Sequence, residues 1–489
     1  MSHGHELFLD HASTTPLHPD ALGVMLPCFG NHFGIPGTAS RLGLKALDAL
    51  EEARARVAGL INAHPQEIVF TGSGTESNNL AILGSVRAQG SKGRHIITSR
   101  VEHASVLNVC RHLEREGFRV TYVPVDANGR VDTAAVEDAV EDDTILISIM
   151  HANHAVGTLQ PVAEIGAMAH GRGITFHVDA VQSAGRVPLN VEDLPVDLMS
   201  ISSHKLYGPK GVGALYLRSG TELSPVTFGL DQEHGIRPGT ENIPGIVGFG
   251  MACAVAVRDL DRNSMLVSSL RDSLEGQVLN AIAGAVVNAS AAPRLPHITS
   301  LSIDGIAGNA LTAYLDVMDI TAFSSPPLGR QGEDLSYVLE AMDAHGRCSC
   351  GALRLSLGWE NKEREVKRAV DSLTAAVSKL RDFDSAASGR ELGFFTFADR
   401  ESVARSLEGL EGAGIPVVLM PRPDGVAHGA SAPVALCSLA SDQEAIGSIL
   451  GRLGIEPKGV HRVKTRYRAM ERKEQAFWQK VENVRKGMN

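Results

Sequence analysis

Along residues 7–380, apolar side chains gather in short runs separated by longer stretches of helical spacing. The runs at 67–70, 95–98, 120–123, 144–150, 175–179, 196–201 and 212–217 are four to seven residues long and show little alternation with polar positions. Strict alternation marks a strand with one wet face, whereas a near-continuous apolar run suits a strand covered on both sides. Helices are predicted at about 44–61, 133–140 and 245–260, where apolar positions recur at three- and four-residue steps. Strand and helix in alternation predict an α/β fold with a large, mostly parallel sheet, followed by a smaller α/β domain.

The pattern changes near residue 382. Residues 382–391 are polar and rich in small side chains, so a linker is predicted there. Strand-like runs at 393–397, 415–420, 433–437 and 459–463 then enclose helical stretches at 400–411 and 443–453. The order β-α-β-β-α-β predicts a ferredoxin-like module over residues 392–463. In the tail, 464–489, Tyr467, Met470, Phe477 and Trp478 stand among Lys, Arg and Glu, which predicts a surface helix. The expected units are therefore a large domain at 21–260, a small domain at 261–381, the linker at 382–391, the module and the C-terminal helix.

Composition narrows the function classes. With 489 residues, 43% hydrophobic and 21% charged, the chain has room for two or three domains. A net charge of −10 argues against a nucleic-acid footprint. No uninterrupted run of about eighteen apolar residues occurs, so no membrane span is expected. The first residues lack the basic start and apolar core of a signal peptide. Six scattered cysteines fit a reducing cytoplasm better than a disulfide framework. His3 and His5 read as a histidine-bearing terminus, and no metal site is expected.

Two residues at predicted strand ends carry the chemistry. The run 175–179 ends in Asp179, and the run 196–201 leads to Ser202-Ser203-His204-Lys205. In an open α/β sheet ligands sit where strands end, so Asp179 and Lys205 are expected to face one crevice. Pyridoxal phosphate needs this pair: a lysine to attach it and a carboxylate to keep its pyridine nitrogen protonated. Upstream, Thr71-Gly72-Ser73-Gly74-Thr75-Glu76 follows a strand and opens a helix. Free backbone N–H groups at such a turn point at an anion, here the cofactor phosphate.

The segments HVDAVQSAG at 177–185 and SSHKLYGPKGVGALY at 202–216 resemble those of cysteine desulfurases and selenocysteine lyases. These belong to the class V aminotransferase group of fold-type I pyridoxal-phosphate enzymes. The resemblance spans about residues 8–380 and implies an internal geography. The N-terminal segment, 1–20, would join the small domain and lie over the site. Lys205 would carry the cofactor, Asp179 would pair with the ring nitrogen, and Gln182 would bond the ring oxygen. Gly74, Thr75, Ser202, His204 and Thr240 would hold the phosphate, with Thr240 reaching the other subunit of a homodimer. His103 would stack on the ring and move protons, and Arg354 would clamp the substrate carboxylate. The implied activity is removal of sulfur or selenium from cysteine or selenocysteine, giving alanine, with a sulfur or selenium acceptor protein as partner. Another lyase or transaminase of the same fold, or a non-catalytic sulfur-transfer scaffold, are the alternatives.

Departures from the family pattern matter as much. Ile35-Pro36 stands where an Asn-Pro pair is usual, and His154 where a cofactor-touching asparagine is usual. The loop before Ser336-Tyr337-Val338-Leu339, residues 323–334, lacks the cysteine that desulfurases carry there. Cys348 and Cys350 lie just before Arg354. Three readings stand for this pair: a relocated sulfur acceptor, a structural pair in a turn, or a bystander in a reaction that needs no thiol. Cys28, Cys110 and Cys253 fall in helical patterns and are expected to be packing residues. Residues 393–437 resemble a selenium/sulfur-carrier-like domain, yet its usual loop cysteine is missing from 427–432 and Cys437 falls inside a strand.

Overall fold

The computed structural model describes residues 6–324, 336–342, 352–387, 392–397, 399–421, 434–457 and 459–463. The chain enters as β1 (Leu7–Phe8), then α1 (Pro19–Gly30) and α2 (Arg41–Leu60). A large domain follows, with β2 (Ile68–Thr71), α3 (Gly74–Gln89), β3 (His95–Ser99), α4 (Ala104–Arg115) and β4 (Arg119–Val123). It continues through α5 (Thr133–Asp138), β5 (Thr144–Met150), α6 (Val162–Gly171) and β6 (Thr175–Asp179). Strands β7 (Leu198–Ser202) and β8 (Gly213–Leu217) complete it.

These seven strands form one sheet in the order β2-β8-β7-β6-β5-β3-β4, and β8 alone runs against its neighbours. Only residues 203–212 join β7 to β8, too short a connection for the crossover that a parallel pair requires. Every residue of β3, β5 and β7 is buried, which is why their sequences show no alternation. Because the other six strands run the same way, Thr71, Ser99, Met150, Asp179 and Ser202 all end on one edge.

Helix α7 (Ile243–Ala281) leads out of this domain. The small domain contains β9 (Ala285–Val287), β10 (Ile298–Ile303), α8 (Gly308–Val317), β11 (Ile320–Thr321) and β12 (Phe323–Ser324). After α9 (Ser336–Ala341) come β13 (Leu353–Ser356) and α10 (Glu363–Ala387). Its sheet runs β12-β13-β10-β9, all antiparallel. β1 pairs with β11, and Asp10 bridges to Ser356, so the N-terminal segment is fastened to this domain.

The C-terminal part comprises β14 (Leu392–Thr396), α11 (Arg400–Gly412), β15 (Val417–Pro421), β16 (Val434–Leu439), α12 (Gln443–Arg452) and β17 (Gly459–Val463). The strands lie in the order β15-β16-β14-β17, each antiparallel to its neighbour. β15 lies against α8 and α10, and Val418, Leu419 and Leu436 share one apolar core with Tyr314, Leu315 and Phe383.

Two expected boundaries are redrawn. The helix expected to stop near 260 is one element of 39 residues. Among the described residues it is the one helix long and apolar enough to cross a membrane, but half of its apolar window is buried inside the fold, with α1, α2 and α10 against it. The linker expected at 382–391 is helical as far as Ala387. Phe383 continues the buried stripe of Leu373, Val377 and Leu380, so the polar, small residues around it are the outer face of a helix. The expected C-terminal helix, the loop 325–335 and the loop 427–432 lie outside the described residues.

Candidate active site

Lys205 ends a short turn directly after β7. Its Nζ donates to the carbonyls of Ala12 and Ser13, both at 2.7 Å. The N-terminal segment therefore covers the sheet edge, and several bonds fix it there. Thr15 N donates to His204 O at 3.0 Å, Tyr207 N donates to Thr15 Oγ1 at 2.8 Å, and Gln182 Nε2 donates to Ala12 O at 2.9 Å. His204 Nδ1 lies 3.1 Å from the Thr14 hydroxyl. Burial, with Lys205 and Lys210 nearby, lowers this imidazole to about 4, so it is neutral at neutral pH. Tyr207 holds the left-handed φ of 66°, a strain that this set of bonds has to maintain.

Arg354 sits in mid-strand on β13, in register with Ser300 on one side and Phe323 on the other. Its guanidinium lies 4.3 Å over the Phe323 ring. Nη2 donates to Asp10 Oδ1 at 2.8 Å and to Ser13 Oγ at 2.6 Å, while Nη1 donates to His154 O at 2.8 Å. Asp10 thus occupies part of the fork that the family resemblance assigns to a substrate carboxylate. Lys205 and Arg354 meet on the same residue, Ser13.

Asp179 ends β6 and is buried. Its carboxylate accepts from Asn78 Nδ2 at 2.7 Å and from Val181 N at 3.0 Å. Both donors are neutral, and among the described residues no cation lies within ion-pair distance. A buried carboxylate held only by neutral donors fits a protonated ring nitrogen as its counter-charge. Asn78 Nδ2 also donates to Ser105 Oγ at 2.8 Å, and that hydroxyl lies 2.7 Å from His103 Nδ1. The Ser105 backbone N–H donates to the same Nδ1 at 3.1 Å, which leaves the imidazole proton on Nε2.

Gly74 opens α3 behind the N-cap Ser73. A Cβ at Gly74 would lie 2.6 Å from Val181 Cγ2 and 3.2 Å from Ser202 Cβ, so only glycine lets the helix start approach this edge. The N–H groups of Gly74 and Thr75 stand in the first turn, as an anion site requires. Thr240 is exposed, on a loop tied to α3 by Arg237 Nε, which donates to Glu76 Oε1 at 2.7 Å.

His154 faces His103 edge-on, with centroids 5.4 Å apart, and its Nε2 lies 3.4 Å from the Tyr337 hydroxyl. Burial, with His103, Arg354 and Lys205 adding to it, holds its pKa well below the usual range. Tyr337 donates to Glu102 O at 2.6 Å, which pins α9 to the residue before His103. Cys348 and Cys350 lie outside the described residues.

Glu102 is fully buried, accepting from the Ser99 hydroxyl at 2.6 Å and from Met150 N at 3.0 Å. Burial pushes its carboxyl up to about 8 against the opposing effect of these bonds. A folded-state value above the ordinary one means that stability is lost as the pH rises from about 4.5 towards 8. Glu102→Gln removes that titration. Relative to the parent it should gain roughly 2–5 kcal/mol between about pH 5 and pH 8, measured by urea unfolding. A pH-independent difference would show that Glu102 is ionised in the fold.

The sequence profile described as Aminotransferase class-V matches residues 7–369. The chain belongs to the class V aminotransferase family. It is 41% identical over 376 residues to "Cysteine desulfurase IscS" of Dictyoglomus turgidum, covering 77% of this chain and 95% of that protein. It is 40% identical over 381 residues to the protein of the same name from Pseudomonas aeruginosa, covering 77% and 94%. Among solved structures, "NIFS-LIKE PROTEIN" superposes with a TM-score of 0.72 at 35% identity, covering 76% of this chain and 99% of its own. "SspA in complex with cysteine" superposes with a TM-score of 0.64 at 34% identity, covering 72% and 99%. Class V aminotransferases use pyridoxal phosphate, and this chain is a pyridoxal-phosphate enzyme of that family. Residues after 369 fall outside the family match.

Lys205, Asp179, Gln182, His103, His154, Ser202, His204, Gly74 and Arg354 gather at one edge of the sheet. Four further residues belong to this cluster and were not singled out from sequence: Asp10, Asn78, Ser105 and Tyr337. Only Asn78 had a local signal, standing one helical turn after Gly74.

Proposed function

We propose that the protein removes sulfur from cysteine, or selenium from selenocysteine, and releases alanine. The observation that carries this reading is the meeting of Lys205 and Arg354 on Ser13, with Arg354 also on the carbonyl of His154, whose ring faces His103, in a chain whose relatives are named cysteine desulfurases. When bound, pyridoxal phosphate supplies a ring that withdraws electrons from the substrate α-carbon. Asp179 would hold the ring nitrogen's proton, Gln182 the ring oxygen, and Gly74, Thr75, Ser202 and His204 the phosphate. Arg354 would turn part of its fork from Asp10 to the substrate carboxylate. Lys205 Nζ would take the α-proton, and His103 Nε2 carries a proton for the leaving side.

The overall exchange balances with an acceptor thiol: cysteine plus a thiol gives alanine plus a persulfide. The substrate C–S bond breaks, the electron pair stays on carbon and is protonated, and a new S–S bond forms. Described cysteines are poor acceptors. Cys28, Cys110, Cys253 and Cys437 are all buried, and burial raises each thiol, Cys110 to about 12, whereas attack requires a thiolate. We therefore assign the acceptor to Cys348 or Cys350, which precede Arg354 by a few residues. The double variant Cys348→Ala/Cys350→Ala should lose alanine formation from cysteine, and the parent's 348–350 peptide should gain sulfur during turnover, read by mass spectrometry. Full alanine production by the double variant would refute this assignment. Amino-group transfer or another elimination product instead of alanine would make the protein a different lyase or transaminase, and no product at all would leave a scaffold.

A homodimer completes the reading. Leu22, Leu26 and Phe29 on α1, Phe33 and Ile35 after it, and Phe228 and Leu230 are exposed, an apolar surface that a second copy would cover. Thr240 would then serve the partner subunit's phosphate site. Curated relatives are bacterial and archaeal, and we place the enzyme in the cytoplasm, passing sulfur to an acceptor protein. Residues 392–463 suit docking of that protein better than carrying sulfur, since Cys437 is buried in β16.

A further inference from the structure

A second cleft lies behind Lys205, between α7 and the segment that precedes α10. Arg186, Tyr207, His297, Trp359, His18 and Val255 are among its walls, and none of the residues assigned above to cofactor or substrate lines it. Arg186 is the one Lys or Arg there and is buried. Its partners are neutral: Nη2 donates to the Lys205 carbonyl at 2.8 Å, and the guanidinium lies 5.0 Å over the Tyr207 ring. Among the described residues no carboxylate comes within ion-pair distance of it; Glu360 feels its charge only from farther off.

A guanidinium cannot lose its proton, so a buried one needs an anion or a full set of dipoles. His297, buried on the same cleft, has no hydrogen-bond partner for Nδ1 among the described residues. Burial, together with Arg186, keeps both His297 and the neighbouring His11 neutral, so neither adds a competing charge. The remaining walls are mostly aromatic and aliphatic, with the polar side chains of His18, Asn263 and Ser264 among them. We propose that this cleft binds a small monocarboxylate, its carboxylate on the planar fork of Arg186 and its short apolar body against Val255 and the rings of Tyr207 and Trp359. Because Arg186 also holds the Lys205 carbonyl, the occupant would bear on the turn that presents Lys205.

The test needs no turnover and so stands apart from the assigned activity. The chain has two tryptophans, and in a Trp478→Phe holoenzyme Trp359 alone reports on the cleft. Sodium propionate, titrated at constant ionic strength, should change its fluorescence saturably, and sodium chloride or sulfate should not. Arg186→Gln should weaken propionate at least tenfold. Ser264→Phe, which puts a large ring on the α7 wall of the cleft, should abolish the response if Arg186→Gln does not fold. An unsaturable change, one that chloride reproduces, or one that persists in either variant would mean that the cleft holds water only.

Discussion

Lys205→Ala should reduce alanine formation by at least about 10,000-fold, the upper range of a single acid–base group, since in the proposed function the same Nζ both attaches the cofactor and moves the α-proton. The fold should survive. Nζ is held by two carbonyls of the N-terminal segment, while Thr15, Gln182 and Tyr207 keep that segment in place without it. Circular dichroism and gel filtration would check this, and the visible absorbance of the bound cofactor should change at the same time. A variant that keeps a tenth of the parent's rate would remove Lys205 from the chemistry.

The second large effect is on stability, at Glu233. Its carboxylate receives both Arg54 Nη1 and Nη2 at 2.8 Å, and Phe70 N at 2.7 Å. Both side chains are buried, and the guanidinium also lies 4.9 Å over the Phe70 ring. Glu233 and His234 hold left-handed φ values of 48° and 59°, so this pair keeps a strained loop against the edge strand β2. Glu233→Ala would leave the buried Arg54 with only the half-exposed Glu51, 3.2 Å from its Nε, as counter-charge, and Phe70 N without an acceptor. The expected loss is roughly 2–4 kcal/mol, read by urea unfolding, and with Thr240 in the proposed phosphate role, cofactor retention should weaken as well. Glu233→Gln should lose less, since it keeps one acceptor. A loss below about 1 kcal/mol for the alanine variant would mean that water or a rearranged neighbour replaces the pair.

Asp179 and Lys205 were legible because strand ends concentrate chemistry and both stand immediately after apolar runs. Gly74 was legible as part of a strand–turn–helix. Asp10 was not, because its meaning lies in Arg354, 344 residues away. Asn78 had only its spacing from Gly74 to mark it, since its partner Asp179 is 101 residues away, and Ser105 had no signal of its own. The break after 381 was misplaced because Asp382, Asp384 and Ser385, on the outer side of α10, have the composition of a linker. Only the buried stripe through Phe383 distinguishes the two. The end of α7 was misjudged for a related reason: past Asp261 the helix leaves the large domain, and its buried positions thin out to Val267, Leu270, Leu274 and Val278, with Met265, Leu266 and Leu279 exposed.

The central claim is that Lys205 is the residue that carries the cofactor. Borohydride reduction of the purified holoenzyme, followed by tryptic digestion and mass spectrometry, tests it most directly. A phosphopyridoxyl group on Lys205 and on no other lysine is the predicted result. The same group on Lys210 or elsewhere, or none on any peptide from protein that binds the cofactor, would contradict it.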